Sequence, residues 1–211
     1  MFAGISLTFK ETMSGHFSVD PTGNLSFDEA ESQASCLDKL IVDLEVGIPD
    51  FKVFLEDSDH KGIVNGRIRF SDYGEGFEIQ NGEFRLFNKD VEGTKHLEYK
   101  FEFTNSTFGN TFKFHGIKNI KDDAGLDSIT DITTLFVTIE VFSKEESRPD
   151  TVYKGKIYFQ VYDFPALFAS IETHGTTDRG ISFLAKVAFL DFCTREMLST
   201  YVIDKLKNAL G

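Results

Sequence analysis

Tryptophan is absent, cysteine occurs only twice, and no run approaches the roughly 18 apolar residues of a membrane-spanning helix. Cationic charge is scarce as well, with 22 Lys and Arg against 34 Asp and Glu and a formal net charge of −12. That balance argues against nucleic acid or an anionic membrane surface as a partner, because both are bound through clusters of Lys and Arg. Cys36 and Cys193 lie far apart in unlike contexts, so two free thiols in a reducing compartment are expected rather than a disulfide. The opening Met1-Phe2-Ala3-Gly4-Ile5 lacks the basic segment and continuous apolar run of a secretory signal, and a cytoplasmic location is expected.

Catalytic signatures are missing too. There is no Gly-x-Ser-x-Gly, no P-loop and no Gly-x-Gly-x-x-Gly, so nucleophile-elbow, nucleotide and dinucleotide readings have no support. The five histidines, His16, His60, His96, His115 and His174, share no metal-ligand spacing, which argues against zinc. His60 stands beside Asp57 and Asp59 and reads as a paired surface imidazole.

What the chain does have is phenylalanine: 23 residues, many spaced two apart. Ile5, Leu7 and Phe9 alternate, as do Leu40, Val42, Leu44 and Val46; Phe101 and Phe103 follow Leu97 and Tyr99, and Phe112 precedes Phe114. Successive side chains of a strand point to opposite faces, so these stripes mark one inward aromatic face of a sheet. Asn81-Gly82 between Phe77-x-Ile79 and Phe84-x-Leu86 predicts a type I′ hairpin, and Gly15 a bulge within the first strand. Phe51, Phe54 and Leu55 after Pro49 predict a short helix, and no element is assigned over Ser26 to Ser35. From Gly180 to Leu210 apolar residues recur every three or four positions as an amphipathic helix, with a break near Cys193-Thr194 left open; Pro165 to Thr173 predicts a shorter helix before it.

The expected fold is therefore mainly β: an antiparallel β-sandwich or flattened β-barrel of about eight to ten strands with a C-terminal amphipathic helix. It forms one domain over residues 1–211, with a β-rich body over 1–163 and a helical segment over 164–211 that crosses the sheet or covers a barrel mouth. From Asp20 to Asp59, eleven acidic residues face only Lys39 and Lys52, a stretch that reads as a solvated face or a docking surface for a basic partner.

Three functions follow from this pattern. The first is a non-catalytic binding or accessory module for an apolar small molecule or a partner enzyme, with a pocket lined by Phe77, Phe101, Phe103, Phe112 and Phe114. The second is a small barrel enzyme of isomerase or cyclase type, using a buried carboxylate or imidazole of shifted pKa. Glu102 and His115 fall opposite the Phe stripe, whereas Glu11 shares the parity of Phe9 and is the one catalytic candidate left. The third is a structural homodimer joined through the C-terminal helix. A loop with Asp122, Asp123 and Asp127 around Gly125 offers oxygens for Ca²⁺, but its spacing is not that of an EF-hand and Lys118 and Lys121 oppose a cation. Asx turns are the simpler role, and no cofactor is expected.

Several segments in order carry a further likeness: Phe9-Lys10-Glu11-Thr12-Met13-Ser14-Gly15, then Phe84-Arg85-Leu86-Phe87, then Gly116-Ile117-Lys118 through Lys121-Asp122-Asp123 and Gly125 to Asp127. Asp131-x-Thr133-Thr134-Leu135, Gly155-Lys156-Ile157, Asp163-Phe164 and Phe189-x-x-Phe192 complete the series. Over about residues 5 to 201 these resemble the β-rich accessory region found beside cholesterol-oxidase-like GMC flavin oxidoreductases in large multidomain proteins. The resemblance implies an accessory region. With no Gly-x-Gly-x-x-Gly in the chain, neither oxidase activity nor FAD is carried over, and no functional position transfers.

Overall fold

Among the described residues the period-two stripes become ten antiparallel strands, eight of which close into a barrel. The computed structural model describes residues 2–89, 94–105, 109–120, 133–143, 148–160 and 163–210, apart from the side chains of residues 74, 75, 164 and 198–210. The strands are β1 (Ser6–Val19), β2 (Lys39–Ile48), β3 (Lys61–Phe70), β4 (Gly74–Glu78), β5 (Gln80–Lys89), β6 (Lys95–Asn105), β7 (Asn110–Ile120), β8 (Thr134–Phe142), β9 (Thr151–Phe159) and β10 (Glu172–His174). The helices are α1 (Phe27–Gln33), α2 (Phe51–Glu56), α3 (Phe164–Ala169) and α4 (Arg179–Leu210). Around the barrel the order is β1-β2-β3-β5-β6-β7-β8-β9, and β9 returns to β1.

Closure depends on β1, whose long stripe from Leu7 to Phe17 buries every second residue. One edge of β1 pairs with β2 from Leu7 to His16; the other pairs with β10 at Ser6–Thr8 and with β9 from Met13 to Val19. Gly15 keeps regular register on both edges instead of forming a bulge. Its missing side chain is what lets β9 close: a Cβ there would stand 2.0 Å from the Lys156 carbonyl oxygen.

The Asn81-Gly82 hairpin does not form. Both residues lie inside β5, and the turn falls instead at Ser71–Tyr73, a 3-10 segment between β3 and β4. β4 and β5 together run antiparallel to β3, from the Phe70–Gly74 pair through Val64–Gly82 to Lys61–Arg85. Asn81 takes its positive φ of 50° at an irregularity in the β5–β6 register, and a Cβ on Gly82 would meet the Val64 carbonyl oxygen at 2.0 Å. The dipeptide thus serves a bulge and a close strand approach, two other uses of the same residue types.

Ser26 to Ser35 contains α1, started by a capping box in which the Ser26 side chain accepts from Glu29 N–H and the Glu29 carboxylate accepts from Ser26 N–H. The acidic stretch around it is tied inward as well as solvated. Asp20 is buried and pairs with Lys154 at 2.8 Å, while Asp28 and Glu31 both meet Lys156. Pro165 to Thr173 divides into α3 and β10, and α4 runs unbroken past Cys193.

α4 covers one end of the barrel. Phe189 packs on Phe9, Phe51 and Phe54 with ring centroids 5.7, 6.2 and 6.3 Å apart, and Phe192 packs on Phe54, His60 and Phe87. Buried Lys95 holds the helix from the barrel rim, donating to the Glu196 carboxylate at 2.7 Å and to its carbonyl at 2.9 Å. His60, expected as a paired surface imidazole, is instead half-buried in this packing; its Nδ1 donates to the Phe54 carbonyl at 2.7 Å. No described helix is long and apolar enough to cross a membrane.

Candidate functional site

The barrel interior divides along its length. In one half, inward residues of neighbouring strands meet face to face: Phe101 stacks on Phe114 at 4.1 Å and Phe103 on Phe112 at 4.6 Å, both nearly parallel. The antiparallel register places each pair directly opposite, which is the shortest cross-strand contact available. Phe70 and Tyr73 pack edge-on against Phe112, and Phe77 lies 5.6 Å from Phe103. The five residues expected to line a pocket are thus brought together, but they pack against one another, and none borders the apolar cavity found in the other half.

That cavity, about 460 Å³, occupies the other half under α4. Its walls are almost wholly apolar, with Phe9, Phe84, Leu86, Leu97 and Phe159 from strands and Phe189, Leu190 and Met197 from the lid helix. Cys193 also borders it; burial pushes its thiol up to about 12, which favours the neutral thiol at neutral pH. Both cysteines are free.

Three polar side chains interrupt the apolar wall of this cavity. Glu11 lies between Phe9 and Met13 along β1, Tyr99 between Leu97 and Phe101 along β6, and Lys118 two residues beyond Gly116 on β7. All three are buried, at 8%, 1% and 3% exposure. Burial, reinforced by the charge and hydrogen-bonding reach of Glu11, pushes the Tyr99 phenol well above its ordinary range, so it stays protonated. Burial pulls the Lys118 ammonium below its ordinary range, while the Glu11 carboxylate opposes that shift. Lys118 Nζ lies 5.6 Å from the Tyr99 ring centroid and 5.8 Å from that of Phe159. Glu11 Oε1 is buried without a hydrogen-bond partner.

Glu11 also marks a break in the barrel wall. Along residues 9–12 of β1 neither β10 nor β9 pairs with the outer edge, and α3 covers the break, with Ser170 Oγ accepting from Lys10 N–H at 2.9 Å. A second cavity of about 340 Å³ sits at this break and shares Glu11, Phe159 and Leu167 with the first.

The other titratable candidates are elsewhere. His115 Nε2 lies 2.8 Å from Glu98 Oε1 on the outer face, as alternation requires, and Asn81 donates to Glu102 there at 3.3 Å. Burial raises the Glu98 carboxyl, but Lys100 and His115 outweigh it and hold the group below the usual carboxylate range. Asp122, Asp123 and Asp127 lie outside the described residues. Among the described residues no three His, Cys, Asp or Glu side chains are grouped to hold a metal ion. Lys118 and Tyr99 are the site residues that alternation alone could have supplied: Lys118 keeps the parity of Phe112 and Phe114, and Tyr99 that of Phe101. On α4, Phe183, Leu184 and Val187 remain exposed.

Compared with known proteins, the chain matches no family model, no curated protein and no solved structure.

Proposed function

We propose that this protein is a non-catalytic binding module that holds an apolar small molecule in the α4-covered half of the barrel. Of the two partners left open by the sequence, small molecule or partner enzyme, the cavity favours the first. One observation carries the reading: an apolar space of about 460 Å³ beside an aromatic interior that is otherwise packed ring against ring. Pockets of this size and lining bury most of a small ligand's surface, and each buried CH₂ adds about 0.8 kcal/mol. The break at residues 9–12 of β1 is the natural route of entry, because it is closed by a short helix and not by a strand.

Native mass spectrometry of protein purified gently from its own host tests this reading, with Leu97→Trp as the control. The expected result is a stoichiometric apolar adduct that Leu97→Trp loses while keeping its fold, because the larger side chain enters empty space. An adduct retained undiminished by that variant would contradict the assignment to this cavity.

Glu11 favours a second reading, the isomerase- or cyclase-type enzyme. It is a buried carboxylate facing an apolar space beside a protonated phenol, a pairing suited to moving a proton on a bound substrate. Such reactions conserve mass, so chromatography separates the two readings. A ligand returned unchanged after incubation means binding; a rearranged isomer whose formation Glu11→Gln stops means catalysis.

A further inference from the structure

Resting on the binding reading above, we infer that the cavity selects a neutral apolar alcohol, with its hydroxyl between Glu11 and Lys118 and its tail among Phe84, Leu86, Leu97 and Leu190. The apolar walls set the tail; the three polar residues set the head group.

Glu11 is more than nine-tenths buried, borders the cavity, and keeps Oε1 without a hydrogen-bond partner. An unmet buried acceptor costs free energy, and a donor on the ligand removes that cost. This requirement alone admits an alcohol or an ammonium and rejects a pure hydrocarbon.

Lys118 narrows the choice. Its ammonium borders the same cavity, over the Tyr99 and Phe159 rings and within electrostatic reach of Glu11. An ammonium ligand at Glu11 would bring a second cation beside Lys118, and a carboxylate ligand at Lys118 would bring a second anion beside Glu11. In a low-dielectric space, either like-charge pair is costly. A hydroxyl both donates and accepts, so it can serve Glu11 Oε1 and the Lys118 ammonium together without adding charge. The mixed pair thus excludes both charged classes by repulsion, a common basis of specificity.

The test is isothermal titration calorimetry of the full chain with three probes of one tail length: n-decanol, n-decanoate and n-decylammonium. n-Decanol is expected to bind at least about tenfold more tightly than either charged homologue. Glu11→Gln should then narrow the gap to n-decanoate, and Lys118→Met the gap to n-decylammonium, each by about tenfold. A charged homologue binding the wild-type protein as tightly as n-decanol overturns this inference and leaves the binding reading standing. If none of the three binds, the binding reading itself fails and the inference with it. The wild-type series decides the matter even where a variant does not fold.

Discussion

The two halves of the barrel lumen share inward residues of β6 and β7 and the same alternation, yet one is packed with aromatic rings and the other is hollow. On β6 the inward series runs Leu97, Tyr99, Phe101, Phe103, and on β7 it runs Phe112, Phe114, Gly116, Lys118. Where the register sets Phe opposite Phe, the rings stack nearly parallel with centroids 4.1 and 4.6 Å apart. Where it sets Leu97 opposite Lys118, no ring pair forms and both residues line the cavity; between the two zones Tyr99 faces Gly116, over which Leu135 and Phe114 close. Whether a barrel is solid or hollow is therefore decided by cross-strand partners, a property of register that no single strand displays.

This contrast fixes the order of the expected effects. Phe103→Ala in the filled half leaves a cavity inside a stacked cluster and should cost about 3–5 kcal/mol in urea unfolding, while binding in the hollow half persists. A loss well under that range would show that the two halves are packed alike. Next in size is the pair Glu11→Gln with Lys118→Met. Exchanging these two buried charges for uncharged residues of similar volume is expected to be neutral or to stabilise the fold by up to about 4 kcal/mol while erasing the discrimination among head groups. Destabilisation by the pair would mean that these charges serve the fold and not a ligand.

A smaller effect depends on pH. The folded-state pKa of Lys118 lies below its ordinary 10.5, so in the alkaline window beneath that value the unfolded chain binds more protons than the folded one. Stability contributed at this site should rise with pH through that window. The rise should vanish in Lys118→Met when the two proteins are compared by thermal melts across alkaline pH. Least affected is the outer face of the lid: Phe183→Ser, at a side chain 66% exposed, should shift monomer stability by no more than about 0.5 kcal/mol. A larger loss, dependent on protein concentration in analytical ultracentrifugation, would point to self-association through α4.

Much of the fold can be read from the chain, and the reasons for the rest are physical. Strong alternation in β1, β2, β6 and β7 marks those strands, because each buries one face and exposes the other. The Asn81-Gly82 turn misleads because a positive φ suits a bulge as well as a hairpin, and only the tertiary approach of Val64 to Gly82 distinguishes them. α1 is short and acidic, but its Ser26-x-x-Glu29 capping box is a legible start signal. Within the site, parity singles out Glu11. It singles out Lys118 equally well, although that residue's nearness to the aspartate-rich loop draws it toward the calcium question instead. The pocket cannot be placed by parity, since Phe101 and Tyr99 differ only in how far along the barrel they sit.

The central claim is that an apolar molecule enters the hollow half. The most direct measurement is a methyl NMR titration of the full chain with n-decanol, recording intermolecular NOEs. The claim requires contacts from the alkyl tail to Leu86, Leu97, Ile171 and Leu190, all bordering the cavity. Contacts confined to Leu184 and Val187 on the outer face of α4, or no contacts at saturating n-decanol, would contradict it.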